Sequence, residues 1–219
     1  MKADQDNQLW LQMWQNRQTD EFHQTSVNKY LARFWPALDM VKGNRVFVPL
    51  CGKSLDMIWL AAQGCQVIGV ELSPVAVAAF FKENRLQPVT KQVGPFTHWQ
   101  AGNISILCGD YFYLQQSDLG HIDTVYDRAA LTALPEAVRR QYVTHLHRLI
   151  DDSSNVFLLT IEDDLEDSQL PAEQQIDAEL TTLYEDRFDI QLAFVESLVE
   201  GNERSQYKVY KLMARLMCN

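Results

Sequence analysis

No apolar run in this chain approaches the length of a membrane-spanning helix, so insertion into a bilayer is not expected. Its N-terminus, Met1-Lys-Ala-Asp-Gln-Asp-Asn-Gln8, lacks the apolar segment of a secretory signal, and export is not expected either. Basic charge is in short supply: 19 Lys and Arg face 29 Asp and Glu, a formal net charge of -10. Nucleic acid and anionic lipid surfaces reward clustered positive charge, so neither is an expected partner, whereas a small molecule is. Cysteine is scarce. Cys51, Cys65, Cys108 and Cys218 show no paired metal-ligand spacing, and three of them fall in or beside expected buried strands. They read as reduced core thiols of a cytoplasmic protein, and no metal centre is expected. No Gly/Ser/Pro-rich linker interrupts the 219 residues, and 47% hydrophobic content suffices for one substantial core. A single domain over 1–219, acting as a monomer, is the expectation.

Glycine is scarce where it would be most diagnostic. The apolar run Arg45-Val-Phe-Val-Pro-Leu-Cys-Gly-Lys-Ser54 ends in a turn with one glycine, Gly52. A second run, Gln66-Val-Ile-Gly-Val-Glu-Leu-Ser-Pro74, ends in Glu71, about 20 positions beyond that turn. A strand, a glycine turn and a helix bring backbone N–H groups close to a ligand, and a carboxylate ending the next strand can accept both hydroxyls of a ribose. Cys51-Gly52-Lys53-Ser54 looks like the end of a phosphate-binding P-loop, but the first glycine of that motif would fall at Phe47. A dinucleotide fingerprint needs three glycines, which the turn lacks. A cofactor without a pyrophosphate does not need them, and S-adenosylmethionine is the best match. The alternative, an ordinary strand, turn and helix, stays open on these residues alone.

Beyond Arg45, short β-rich runs at 45–50, 66–71, 103–108, 122–127 and 155–161 alternate with helical patterns, which predicts an α/β fold with a mostly parallel sheet. Leu55, Ile58, Trp59 and Ala62 recur at helical spacing before Gly64. Ser73-Pro74 supplies an N-cap and a first helical residue for a segment running to about Asn84. Val138, Tyr142, Leu146 and Leu149 share one face of a helix over 136–150, and a further helix is expected over 172–185. The runs 190–198 and 205–213 predict an antiparallel pair. Upstream lies a cap rich in aromatics, including Trp10, Trp14, Phe22, Tyr30, Phe34 and Trp35. There Leu9, Trp10, Met13 and Trp14 are expected on one helical face, packing on the sheet or covering a positively charged ligand. Glu162-Asp-Asp-Leu-Glu-Asp167 reads as a solvated loop.

Taken together, Trp10-Leu-Gln-Met-Trp14, Phe22-His-Gln24, Val46-Phe-Val-Pro-Leu-Cys-Gly-Lys-Ser-Leu-Asp-Met57, Gly69-Val-Glu-Leu-Ser73, Cys108-Gly-Asp110 and Tyr126-Asp-Arg-Ala-Ala-Leu131 carry a resemblance along nearly the whole chain. It resembles the thiopurine S-methyltransferases, particularly their bacterial branch. The resemblance implies a seven-stranded, mostly parallel Rossmann-like sheet with an antiparallel last strand and an N-terminal helical cap over 1–40. It implies methyl transfer from S-adenosylmethionine to sulfur, or to selenium or tellurium, on a small and often aromatic heterocyclic acceptor, with tellurite and selenium detoxification in view. Position by position, Trp14, Leu50, Glu71 and Arg128 match cofactor contacts, and Asp110 and Tyr111 match residues beside the adenine. Phe22 matches a residue closing over cofactor and acceptor, so the acceptor side falls to Phe22 and Arg128. Asp110 has an alternative reading as a strand-end turn residue. The chain departs from the family at Gln169-Leu-Pro-Ala-Glu173, where the family carries a Pro-Gly-Pro-Pro-Phe segment, and Arg204 is only a loose counterpart of a distal basic residue.

Methyl transfer from a sulfonium needs alignment, desolvation and a polarisable nucleophile, not a protein nucleophile. An aromatic thiol or thione is such an acceptor near neutral pH, so no certain catalytic base is assigned; His23 is the tempting base, but a lone His in an aromatic cap is more often structural or hydrogen-bonding. Asp127 and Arg128 end the fourth strand, where open α/β sheets place ligands, and are expected to border the active site. Two rivals remain. One is a metal-dependent small-molecule O-methyltransferase in which Asp127 holds a divalent cation. The other is a non-catalytic S-adenosylmethionine-binding module.

Overall fold

A computed structural model of the chain describes residues 2–16, 18, 24–163, 178–200 and 203–215. The chain divides into two compact units, Met1–Leu119 and Gly120–Asn219. Among the described residues no helix is long and apolar enough to cross a membrane.

The first unit runs α1 (Lys2–Gln15), α2 (Lys29–Phe34), β1 (Arg45–Val48), α3 (Asp56–Ala62), β2 (Gln66–Glu71), α4 (Pro74–Glu83), β3 (Val89–Val93), β4 (Phe96–Ala101), β5 (Ile104–Cys108) and α5 (Gln116–Leu119). β2 pairs parallel with β1 on one side and with β5 on the other. Their near-continuous apolar runs belong to strands buried on both faces, and Val46, Phe47 and Val70 are wholly buried. α4 starts where expected, because the Ser73 side chain accepts from the Ala76 N–H at 3.3 Å and Pro74 follows as the first helical residue. Its inner face sets Phe80 edge-on to Phe81, which stacks on Trp99 of β4 with ring centroids 5.7 Å apart. Burying each phenyl ring contributes about 1.5–3 kcal/mol.

Three details depart from the sequence pattern. α3 buries Asp56, Met57 and Leu60, while Ile58 and Trp59 are only half-buried. The cause is polar: Asp56 turns inward to accept the Asn28 N–H at 2.8 Å, and Trp59 meets Trp35 edge-on. On α1, Leu9 points outward, 55% exposed, instead of sharing a covered face with Trp10 and Trp14. The third departure is an extra hairpin, β3–β4, which adds antiparallel to β5 and turns through Gly94-Pro95.

The second unit runs β6 (Thr124–Arg128), α6 (Ala130–Ala133), α7 (Glu136–Leu149), β7 (Asn155–Asp163), α8 (Ala178–Tyr184), β8 (Phe188–Glu200) and β9 (Glu203–Ala214). β6 and β7 are parallel; β9 pairs antiparallel with β7, and β8 antiparallel with β9. α7 buries Val138, Tyr142, Leu146 and Leu149, the face read from its spacing. The expected strands are all present, but the β3–β4 hairpin raises the number from seven to nine among the described residues. Of the helix expected over 172–185, the described part is α8. Phe22, His23 and the stretch 164–177 lie outside the described residues.

Candidate active site

In the first unit the chemistry gathers where β2 ends. Glu71 is 6% exposed, and its carboxylate is held by two backbone donors, Gly52 N–H to Oε2 at 2.9 Å and Ser73 N–H to Oε1 at 2.7 Å. Burial pushes its pKa up, while the Ser73 and Gly52 N–H groups oppose the shift and favour the charged form. The Leu72 N–H also favours the charged form, and since a carboxylate offers about four acceptor sites, at least one remains for a ligand hydroxyl.

The turn that brings Gly52 there is unusual. After β1, Leu50 adopts φ 46°, a left-handed backbone that few residues with side chains accept. Cys51 N–H donates to Val70 O at 2.9 Å, stitching the turn to β2. The Cys51 thiol occupies space that Gly69 leaves open: a Cβ on Gly69 would lie 2.7 Å from Cys51 Sγ and 3.2 Å from Met57 Sδ. Burial, and then the Glu71 carboxylate, raise the Cys51 pKa well above the ordinary thiol range, and the same two causes push Cys108 up to about 11. Both are inert packing thiols, not nucleophiles. Gly52 has φ 52°, and the Trp14 ring lies 3.3 Å from where its Cβ would be. The indole of α1 thus rests on the turn whose N–H orients Glu71.

A second tie runs from α1. Asn7 Nδ2 donates to Asp110 Oδ2 at 2.8 Å, while Asp110 Oδ1 accepts the Phe112 N–H at 2.9 Å and caps the short helical turn over Tyr111–Tyr113. Asp110 therefore serves as a strand-end turn residue and as an anchor for α1. Tyr111 beside it is buried, edge-on to Phe112. Asn7 was absent from the sequence reading, although its seven-residue spacing from Trp14 puts both on one helical face. Trp14, the Leu50 turn, Glu71 and Asp110 are thus linked within one unit. A free-sided buried carboxylate beside an aromatic ring and a close-approach turn fits an adenosine with two ribose hydroxyls, so the residues present suit S-adenosylmethionine.

In the second unit β6 ends at Arg128, which is half-buried, and Ala129 follows at φ 61°. Asp127 corrects an expectation. It is not an open carboxylate bordering a site: it is fully buried, and its oxygens accept Tyr142 O–H at 2.6 Å, Ala130 N–H at 3.1 Å and Leu131 N–H at 3.4 Å. Burial pushes it up to about 6 against the pull of these donors. The cation-holding role considered for Asp127 has no support in this geometry, and among the described residues no group of three or more His, Cys, Asp or Glu could hold a metal ion. Tyr142 read as one more apolar position of a helix; a tyrosine in a core needs a partner for its hydroxyl, which was the available signal.

Parallel strands joined through a close-approach turn, with a buried carboxylate ending the second, define a Rossmann-like nucleotide-cofactor fold. Magnesium protoporphyrin IX methyltransferase from Synechocystis PCC 6803, solved with SAH bound, has the same fold, with a TM-score of 0.65 and 15% identity over 97% of this chain and 100% of that one. Residues 5–217 match the family model for thiopurine S-methyltransferase. The thiopurine S-methyltransferase of Stutzerimonas stutzeri (strain A1501) is 55% identical over 97% of this chain and 93% of that protein. That of Nitrosospira multiformis is 42% identical over 95% and 98%. The chain belongs to the thiopurine S-methyltransferase family.

Proposed function

We propose that the chain, acting over its whole length, transfers a methyl group from S-adenosylmethionine to the sulfur of a small, often aromatic heterocyclic acceptor. The observation that carries this reading is Glu71, a buried carboxylate with acceptor capacity to spare, lying beside Trp14 and the Gly52 turn in a member of this family. When bound, S-adenosylmethionine supplies an activated methyl group on a sulfonium. Glu71 accepts the ribose hydroxyls, Leu50 packs on the body of the molecule, and Trp14 covers it and lends its ring face to the positive charge. Asp110 and Tyr111 lie beside the adenine. The family resemblance assigns Arg128 to the cofactor and acceptor, and assigns Phe22 the role of closing over them. The residues act by binding, orientation and exclusion of water, with no protein nucleophile and no metal. Acceptors with selenium or tellurium extend the same chemistry to softer nucleophiles. The thiol state of Cys51, Cys65 and Cys108 supports a cytoplasmic setting.

The test is a methyl-transfer assay on matched aromatic thiols, phenols and amines, followed by chalcogen oxyanions. The thiol should be methylated much faster than its hydroxyl analogue, without added metal. Equal rates on phenols, or activity lost in chelator, would overturn the sulfur assignment. Cofactor binding with no methylation of any acceptor would favour a binding module.

A further inference from the structure

The corner at the end of β6 is held more firmly than its short helix requires. Ala129, a residue with a side chain, sits at φ 61° directly after Arg128. Its N–H donates to Leu159 O at 3.0 Å, and the next two N–H groups, of Ala130 and Leu131, donate to Asp127 Oδ1. Behind the carboxylate, α7 contributes the Tyr142 hydroxyl at 2.6 Å, a short charge-assisted bond between two fully buried side chains. α6 has four residues, too few for helix formation to justify burying a carboxylate beneath it. A neutral Asn or Ser would cap such a turn without desolvating a charge. What the buried pair fixes is the backbone on either side of Ala129, and Arg128 leaves from that backbone.

We propose that Asp127 and Tyr142 are positioning residues: by clamping the Ala129–Leu131 corner they fix the direction in which Arg128 presents its guanidinium to the methyl acceptor. This rests on the acceptor-side reading of Arg128 given above. A planar guanidinium recognises an electron-rich or anionic ring only when its fork is aligned, so a displacement of its backbone anchor reaches turnover directly. Two ionisable groups bear on the carboxylate from the packed helices, Tyr142 from α7 and Tyr184 from α8. Tyr184 is wholly buried, and its hydroxyl has no partner among the described residues. Burial, and then the charge of Asp127, raise the Tyr184 pKa well above the ordinary phenol range, so Tyr184 stays protonated and the group that titrates near neutrality is Asp127 itself. Its protonation relieves the desolvation of the charge, from which the fold as a whole gains, but turns charge-assisted hydrogen bonds into weaker neutral ones, so the local grip on the corner slackens as pH falls through about 6.

Tyr142→Phe, the milder variant, and Asp127→Asn test this in the full chain. In both, kcat/KM for a thiol acceptor should fall by about tenfold or more, while calorimetric affinity for S-adenosylhomocysteine changes by less than about threefold and the melt stays above the assay temperature. Combined with Arg128→Ala, either variant should add nothing further, because all three act through one group. Amide exchange at Ala129–Leu131 should accelerate in Asp127→Asn. The wild-type acceptor profile should lose activity as pH falls through about 6, and that step should vanish in Asp127→Asn. Losses that multiply independently with Arg128→Ala, or unchanged acceptor kinetics in folded Tyr142→Phe, would overturn the clamp alone. Wild-type kinetics in Arg128→Ala would remove the acceptor reading itself, and the clamp's purpose with it.

Discussion

Two strand ends in this protein carry a buried carboxylate, and they put it to opposite uses. Glu71 ends β2 held by backbone donors alone, the N–H groups of Gly52, Ser73 and Leu72, whereas Asp127, next to last in β6, gives its oxygens to a tyrosine and two helical N–H groups. Burial raises the pKa of both. The difference lies in the donors. Backbone N–H groups from a turn and a strand end grip Glu71 from its own chain and leave part of it to a ligand. Donors converging from two helices consume Asp127. A carboxylate at the end of a parallel strand is therefore not a binding residue by position; its unused lone pairs decide.

The comparison can be broken most forcefully at Asp127. Asp127→Ala strands a buried hydroxyl and two N–H groups and should lower unfolding stability by about 3–5 kcal/mol in urea titration, with cofactor affinity little changed. A loss below about 1 kcal/mol would mean the network is slack. Glu71→Ala should show the reverse emphasis: cofactor affinity weaker by about 1.5–3 kcal/mol, on the order of ten- to a hundredfold by calorimetry, in a chain that still folds. Unchanged affinity would end the ribose assignment.

A pH series sharpens the contrast. The folded Asp127 carboxyl is raised from 3.8 to about 6, so the folded chain keeps this proton after the unfolded chain has lost it. The associated stability is fully present below the unfolded value and disappears as pH rises through about 6. Asp127→Asn lacks this titration, so wild type should lose about 2 kcal/mol relative to it between pH 4 and 7. A constant difference would contradict the raised value. The smallest effect is expected at Gly69→Ala, whose Cβ would press on Cys51 Sγ: about 1–2 kcal/mol of stability, largely recovered in a Cys51→Ala background. Failure of that rescue would place the strain elsewhere.

How legible each region was in the sequence follows the same division. The Glu71 turn could be read because its parts are adjacent along two runs and each performs a local task. Asp127 and Arg128 sit side by side in sequence too, but the partner that separates their roles, Tyr142, lies 15 residues on and looks like part of an apolar stripe. Asp56 illustrates the same blind spot, since only the folded chain brings the Asn28 N–H to it. The β3–β4 hairpin went unread because β3 faces water: Val89, Thr90, Lys91 and Gln92 are all exposed, and a solvent-washed edge strand leaves no alternation to find. Asn7, one turn ahead of Trp10 in α1, gives no sign in the sequence of its partner Asp110, which lies 103 residues on.

The left-handed backbone of Leu50 has a consequence for anyone improving this protein. Glycine accepts φ 46° without the steric penalty of about 1–2 kcal/mol that a side chain incurs, so position 50 offers stability at the expense of the wall that Leu50 is proposed to give the cofactor. Directed evolution for heat resistance alone would drift toward that exchange, because surviving colonies report durability and say nothing about ligand fit. Leu50→Gly is the variant such a selection would enrich, and its loss of affinity would surface only when the cofactor was added.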